Sequence, residues 1–206
     1  MSVGAKALGE GGGQTAVAVY AVLMYASDLC WPLLYGIADS LSPALGYNWG
    51  AKNYDRVKSI AKRAYIGTAT VGFISTSLLF FLPGTIASWF VNAKDIQLLE
   101  MSTHAICLFC FAYLFRWIAV TTQSYFTAIE KPLQATIMSV AVAFVFPIVL
   151  LGAFWSFGLD GIWFNFVGVN ALAAVLSAVL LVRLMKEIKK KESNNDNVTH
   201  PFRTGA

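Results

Sequence analysis

Long apolar stretches separated by short polar hinges set the pattern of this chain. Five of them cover roughly residues 14–48, 64–91, 96–129, 133–157 and 161–184. Each exceeds the ~20 apolar residues that carry a helix across a bilayer's hydrocarbon. Backbone in lipid must satisfy its own hydrogen bonds, so the choice lies between helices and a closed barrel. Barrel strands alternate over ~10 residues, whereas these runs are continuous. The pattern predicts an all-α membrane protein with five transmembrane helices. Composition agrees, with 57% hydrophobic and 13% charged residues.

The placement of charge orients the spans. The hinge after the first span carries Lys52, Arg56, Lys58, Lys62 and Arg63 against Asp55 alone. Lys131 follows the third span, and Arg183, Lys186, Lys189, Lys190 and Lys191 follow the fifth. The opposite hinges hold only Lys6 and Lys94. By the positive-inside rule the basic side is cytoplasmic. This predicts a multi-pass cell-membrane protein with its N-terminus external and its C-terminus cytoplasmic.

Residues 1–13 lack the apolar core of a signal peptide and read as the remnant of an external loop. An upstream helix is expected, and the chain reads as the C-terminal piece of a larger transporter-like protein. Residues 14–188 form its membrane region. Residues 189–206 are expected to be a cytoplasmic tail without fixed structure, being polar towards the end.

Little else carries chemistry. Cys30, Cys107 and Cys110 all fall in apolar spans and read as buried small residues. The C-x-x-C at Cys107 and Cys110 has no second ligand pair for a metal. The glycines near Gly9–Gly13 lack the Lys-Ser/Thr of a phosphate loop. Glu100 and His104 read as a solvated helix pair. Neither catalytic residues, a metal, a cofactor nor a nucleic-acid partner is expected.

The informative residues are polar ones within the spans, since charge at bilayer depth usually faces a partner or a pathway. Asp28 and Asp39 share the first span, eleven residues apart, which is only ~20° from three full turns. Tyr35 falls on the same stripe, which runs ~16 Å along the helix. In the third span Arg116 lies ~21 Å from Glu130, too deep for easy snorkelling. Arg116, Gln123 and Thr127 share one face. A buried guanidinium stays ionised, so two readings stand. Arg116 pairs with Asp28 or Asp39 as structure, or these residues line a transport pathway. Pro32, Gly36, Pro83, Gly84 and Pro147 mark where the spans bend most cheaply, and each is also compatible with a static kink.

The string from Gly36 to Asn53, Gly-Ile-Ala-Asp-Ser-Leu-Ser-Pro-Ala-Leu-Gly-Tyr-Asn-Trp-Gly-Ala-Lys-Asn, resembles a helix signature of the multidrug and toxic compound extrusion (MATE) transporters. Tyr125-Phe126-Thr127-Ala128-Ile129-Glu130-Lys131-Pro132 resembles the loop after that family's tenth helix. Gly158-Leu-Asp-Gly-Ile-Trp163 resembles the entry to its last helix. The likeness covers almost the whole chain, in order.

The resemblance implies a twelve-helix fold of two six-helix lobes, of which this chain supplies helices eight to twelve. It also implies a missing N-terminal lobe as partner. Alternating access would then come from one bundle moving against another around a midplane site. The implied activity is secondary-active antiport, exporting organic, often cationic, drug-like compounds in exchange for H⁺ or Na⁺. The abundant aromatics suit cation–π contact with such substrates and suit interfacial belts equally.

There are departures from the family pattern. Where many members carry an acid midway along the tenth helix, Leu114-Phe115-Arg116-Trp117 offers an arginine. Asp39 stands where an uncharged polar residue is common. No coupling-ion site carries over. Two alternatives stay open: a lipid-linked-oligosaccharide flippase of the same superfamily, and a non-transporting membrane subunit.

Overall fold

The computed structural model describes residues 12–92, 95–154 and 159–199. The chain opens with α1 (Gly12–Ser40), which runs through Pro32, and continues after Leu41 into the short α2 (Ser42–Gly50). Pro43 sits in the first turn of α2, where its missing N–H costs nothing. Together Gln14–Gly50 make one apolar span.

Helix α3 (Tyr54–Phe81) departs from the expected second span, 64–91, at both ends. It begins ten residues earlier because Asn53 caps it, its side chain accepting from the Arg56 N–H at 3.3 Å. The basic hinge is therefore helical beyond its first turns, with Val57, Ala61 and Ala64 buried on its inner face. It stops earlier because Pro83 cannot donate to the ladder. Instead Pro83 opens a separate helix, α4 (Pro83–Phe90). Pro83 and Gly84 thus stand at a break between two helices, not inside a continuous one.

Asp95 caps α5 (Ile96–Ala128), accepting from the Leu98 N–H at 3.2 Å. Next comes a rod made of α6 (Pro132–Val140), a π-helical turn at Ala141–Val145, and α7 (Phe146–Ala153). The π turn ends two residues before Pro147, whose ring crowds the turn before it; a widened turn absorbs that crowding. The last helix, α8 (Leu159–Thr199), continues eleven residues past the expected end of order. Residues 189–199 are helical because the Lys- and Glu-rich run at 186–192 favours helix. Residues 1–11 and 200–206 of the expected loop and tail lie outside the described residues.

Among the described residues, five stretches are long and apolar enough to cross a membrane: Gln14–Gly50, Tyr54–Phe81, Ile96–Ala128, Pro132–Ala153 and Gly161–Lys190. Helix α5 is the hub, packing against α1, α3, α4, α6 and α8. Its apolar window is 56% buried, against 11% for Pro132–Ala153, so the rod faces outward while α5 fills the centre.

Two apolar cores stack along α5. One gathers Leu23, Leu34, Ile106, Phe109, Tyr113 and Trp163. The other, towards the basic hinges, gathers Leu45, Val57, Phe126, Met138, Leu184 and Ile188. Polar side chains lie among them on α5, at Arg116, Thr121, Thr122 and Ser124. There Thr121 and Thr68 hydroxyls lie 2.6 Å apart, and Thr122 and Tyr65 hydroxyls 2.8 Å apart. Each pair ties α5 to α3. Lys131, in the hinge after α5, pairs with Glu187 of α8 and closes the basic end.

Candidate functional site

The stripe expected on the first span exists. Asp28, Tyr35 and Asp39 all lie on α1, with both aspartates exposed on the isolated lobe and Tyr35 half-buried. A fourth member, Trp31, joins them at spacings of three, four and four from Asp28 to Asp39. Trp31 and Tyr35 stack with centroids 5.4 Å apart and planes 11° apart. Pro32 and Gly36 sit beside them in the same continuous helix. A methyl group at Gly36 would meet nothing within 4 Å, so sterics do not demand glycine there.

The pairing expected of Arg116 is absent. Among the described residues it makes no ion pair or hydrogen bond with Asp28 or Asp39. Its guanidinium carbon instead lies 3.3 Å from the centroid of the Trp31 ring. Its Nε is buried with no hydrogen-bond partner. A cation over indole recovers ~0.5–2 kcal/mol, a fraction of what burying a guanidinium costs.

Asp39 is held by a different residue. Ser124 Oγ donates to Asp39 Oδ1 at 2.6 Å. Ser124 is buried on α5, eight residues beyond Arg116. The stripe on α1 is therefore anchored twice to α5, through indole at Trp31 and through carboxylate at Asp39. Tyr113 adds a third tie, donating to the Ser27 carbonyl at 3.1 Å.

Gln123 belongs elsewhere. Its Nε2 donates to Ser139 Oγ on α6 at 2.8 Å. It lines a cavity of about 580 Å³ with Thr127, Glu130, Thr136 and Ser139, at the hinge between α5 and α6. Arg116 does not line it, so the face expected to join Arg116, Gln123 and Thr127 divides. A second cavity, of about 330 Å³, is almost wholly apolar and lies between α1, α3 and α4. Leu29, Leu33, Ile74 and Leu78 line it and are also exposed, as suits a groove facing acyl chains. Asn165 Nδ2 donates to the Pro147 carbonyl at 3.1 Å, tying α8 to α7.

Trp31 and Ser124 were not among the residues expected from the sequence. The spacing of Trp31 places it on the stripe, and that signal was available. Ser124 had none: it is one of several small hydroxyl residues whose facing depends on how α5 is rotated.

Long apolar helices packed around a central one are the architecture of a polytopic membrane protein. The chain belongs to the MatE family, whose profile matches residues 6–153. Among solved structures it is similar to an outward-facing conformation of a multidrug resistance MATE family transporter of the MOP superfamily. That likeness has a TM-score of 0.79 at 18% identity, over 91% of this chain and 42% of the other. An inward-facing conformation of a multidrug resistance MATE family transporter matches with a TM-score of 0.77 at 17% identity, over 91% and 43%. This chain thus spans about two fifths of those chains' length. No curated protein matches significantly.

Proposed function

We propose that this chain is part of a secondary-active antiporter that exports organic, often cationic, drug-like compounds in exchange for H⁺ or Na⁺. The observation that carries the reading is the stripe Asp28–Trp31–Tyr35–Asp39, largely exposed and fastened to α5 through Trp31 and Asp39, within a MATE-type fold. Exposed carboxylates beside stacked aromatics suit an amphipathic cation. Such a stripe is costly towards lipid, so it is assigned to a cavity between this lobe and a second one. The basic hinges are assigned to the cytoplasm on their Lys and Arg count.

The test is ethidium accumulation in efflux-deficient cells making the whole transporter polypeptide to which this chain belongs. Accumulation is expected to fall relative to cells with empty vector and to recover when an uncoupler collapses the ion gradient. Unchanged accumulation for well-expressed protein would refute the reading.

A further inference from the structure

Helix α3 keeps two faces in strict register. Val57, Ala61, Ala64 and Thr68 lead its buried face. Away from them runs an exposed stripe at alternating spacings of three and four: Arg56, Ser59, Arg63, Ile66, Thr70 and Phe73. Seven residues return a helix to within ~20° of its starting direction, so Arg56 and Arg63 share that stripe, ~10 Å apart along the axis. Up to Arg63 the stripe is cationic, and beyond it the stripe turns apolar. Ile66 is 57% and Phe73 54% exposed. Thr70 does not interrupt this apolar surface, because its Oγ1 donates back to the Ile66 carbonyl at 2.9 Å.

The two guanidiniums are unspent. Asp55, the acid nearest in sequence, lies 3.7 Å from Lys58 Nζ. Among the described residues neither arginine side chain forms an ion pair or hydrogen bond, and the Ser59 hydroxyl between them has no partner. Lys52 and Lys62, both exposed, add positive charge beside them. A guanidinium fork matches the two free oxygens of a phosphate diester. Water alone would satisfy the arginines, but it leaves unexplained the apolar surface that continues from them in the same line. A soluble acidic partner would reach Arg56 and not Phe73, which lies within a stretch apolar enough to cross a membrane. An anionic phospholipid carries its charge and its apolar body in the order this stripe presents.

We propose that the outer face of α3 is a binding site for one anionic glycerophospholipid. Arg56, Ser59 and Arg63 hold its phosphate, and an acyl chain lies along Ile66, Thr70 and Phe73. The site is separate from the α1 stripe and does not rest on the export reading. It discriminates by net charge. Phosphatidylcholine offers the same phosphate, but its quaternary ammonium meets the positive charge of Lys52 and Lys62, whereas phosphatidylglycerol brings no cation.

The experiment compares phosphatidylglycerol and phosphatidylcholine carrying the same diazirine-bearing acyl chain. Each is added at trace level to phosphatidylcholine vesicles holding the whole transporter polypeptide to which this chain belongs. After illumination, cross-links on α3 between Ala64 and Phe73 are read by peptide mass spectrometry. Phosphatidylglycerol is expected to give about fivefold more cross-linking or higher, the scale of one arginine at an anionic headgroup. Arg56→Gln combined with Arg63→Gln is expected to bring the two lipids to parity. Lys186→Gln combined with Lys190→Gln removes equal charge from exposed positions on α8 and is expected to leave the preference in place. Equal cross-linking of the two lipids to the unmodified protein overturns the proposal, whether or not any variant folds. A preference that survives the α3 pair in folded protein also overturns it. So does one that the α8 pair lowers as far as the α3 pair, since the attraction would then belong to the basic end at large and not to this stripe.

Discussion

Ser124 Oγ donates to Asp39 Oδ1 at 2.6 Å, joining the C-terminal end of α5 to the C-terminal end of α1. The hydroxyl orients the carboxylate. An Asp39→Asn substitution keeps an oxygen acceptor for Ser124, so folded yield is expected to stay near that of the parent. If the Asp39 carboxylate takes part in ion coupling, the same substitution flattens the dependence of ethidium extrusion on external pH. Extrusion measured across pH 6–8 decides this; an unaltered pH profile removes Asp39 from the coupling step.

Much of this arrangement could be read from residue order, and the remainder could not for a definable reason. Helix spacing along one chain places Asp28, Tyr35 and Asp39 on one stripe, because 3.6 residues per turn is a property of α1 alone. The partner of Arg116 depends on how α5 is rotated against α1, which no spacing encodes. The sequence offered two carboxylates, and the fold supplied an indole. Hydropathy likewise placed the second span too late. It counts apolar residues and ignores the cap at Asn53 and the missing donor of Pro83, which set the ends of α3.

Gly72 lets α3 approach Trp117. A methyl group at Gly72 would lie 2.8 Å from Trp117 Cδ1, with Cγ and Cβ at 3.2 and 3.3 Å. Trp117 is itself fastened, its Nε1 donating to the Leu114 carbonyl at 2.9 Å, so it has little room to retreat. Gly72→Ala is expected to destabilise the lobe by ~1–3 kcal/mol, as overpacking generally does. Gly36→Ala, with open space around it, is expected to be tolerated. Thermal melting followed by fluorescence-detected size exclusion compares the pair; equal melting temperatures would show that Trp117 moves freely.

Both hinges at the basic end stop their helices in the same way. Lys52 and Glu130 adopt φ values of 57° and 56°. After α2, Asn53 N–H bonds to the Asn48 carbonyl at 2.9 Å and Lys52 N–H to the Trp49 carbonyl at 3.0 Å. After α5, Lys131 N–H bonds to Phe126 at 2.9 Å and Glu130 N–H to Thr127 at 3.2 Å. These are Schellman closures with a non-glycine residue in the left-handed position. Lys52→Gly and Glu130→Gly are each expected to raise stability by ~0.5–1 kcal/mol, since glycine removes the Cβ penalty there. A fall in melting temperature for both variants would contradict this account of the hinges.

Lys52 and Asp95 stand at opposite ends of the bundle, separated by α3 and α4. Both are exposed, so single cysteines placed there report sidedness. On the charge count, Lys52→Cys is expected to react with an impermeant maleimide only after cells are opened, and Asp95→Cys in intact cells. The reverse labelling would invert the membrane orientation proposed for the chain.

Removing Arg116 tests what holds it. Were Arg116 the partner of a buried aspartate, Arg116→Met would strand that carboxylate at a cost of ~3–5 kcal/mol. With the guanidinium seated on Trp31 instead, the same change removes a costly desolvated charge and strands nothing. Methionine also keeps comparable length and makes favourable contact with an aromatic ring. Arg116→Met is therefore expected to fold with undiminished yield and an equal or higher melting temperature. Trp31→Ala acts in the opposite sense, leaving the cation without its ring, and is expected to cost ~1–2 kcal/mol. The double variant is expected to lose less than Trp31→Ala alone, because its charge is gone. That non-additivity is the signature of direct contact. Should Trp31→Ala prove equally harmful with and without Arg116, the ring would be packing the lobe and not holding the charge.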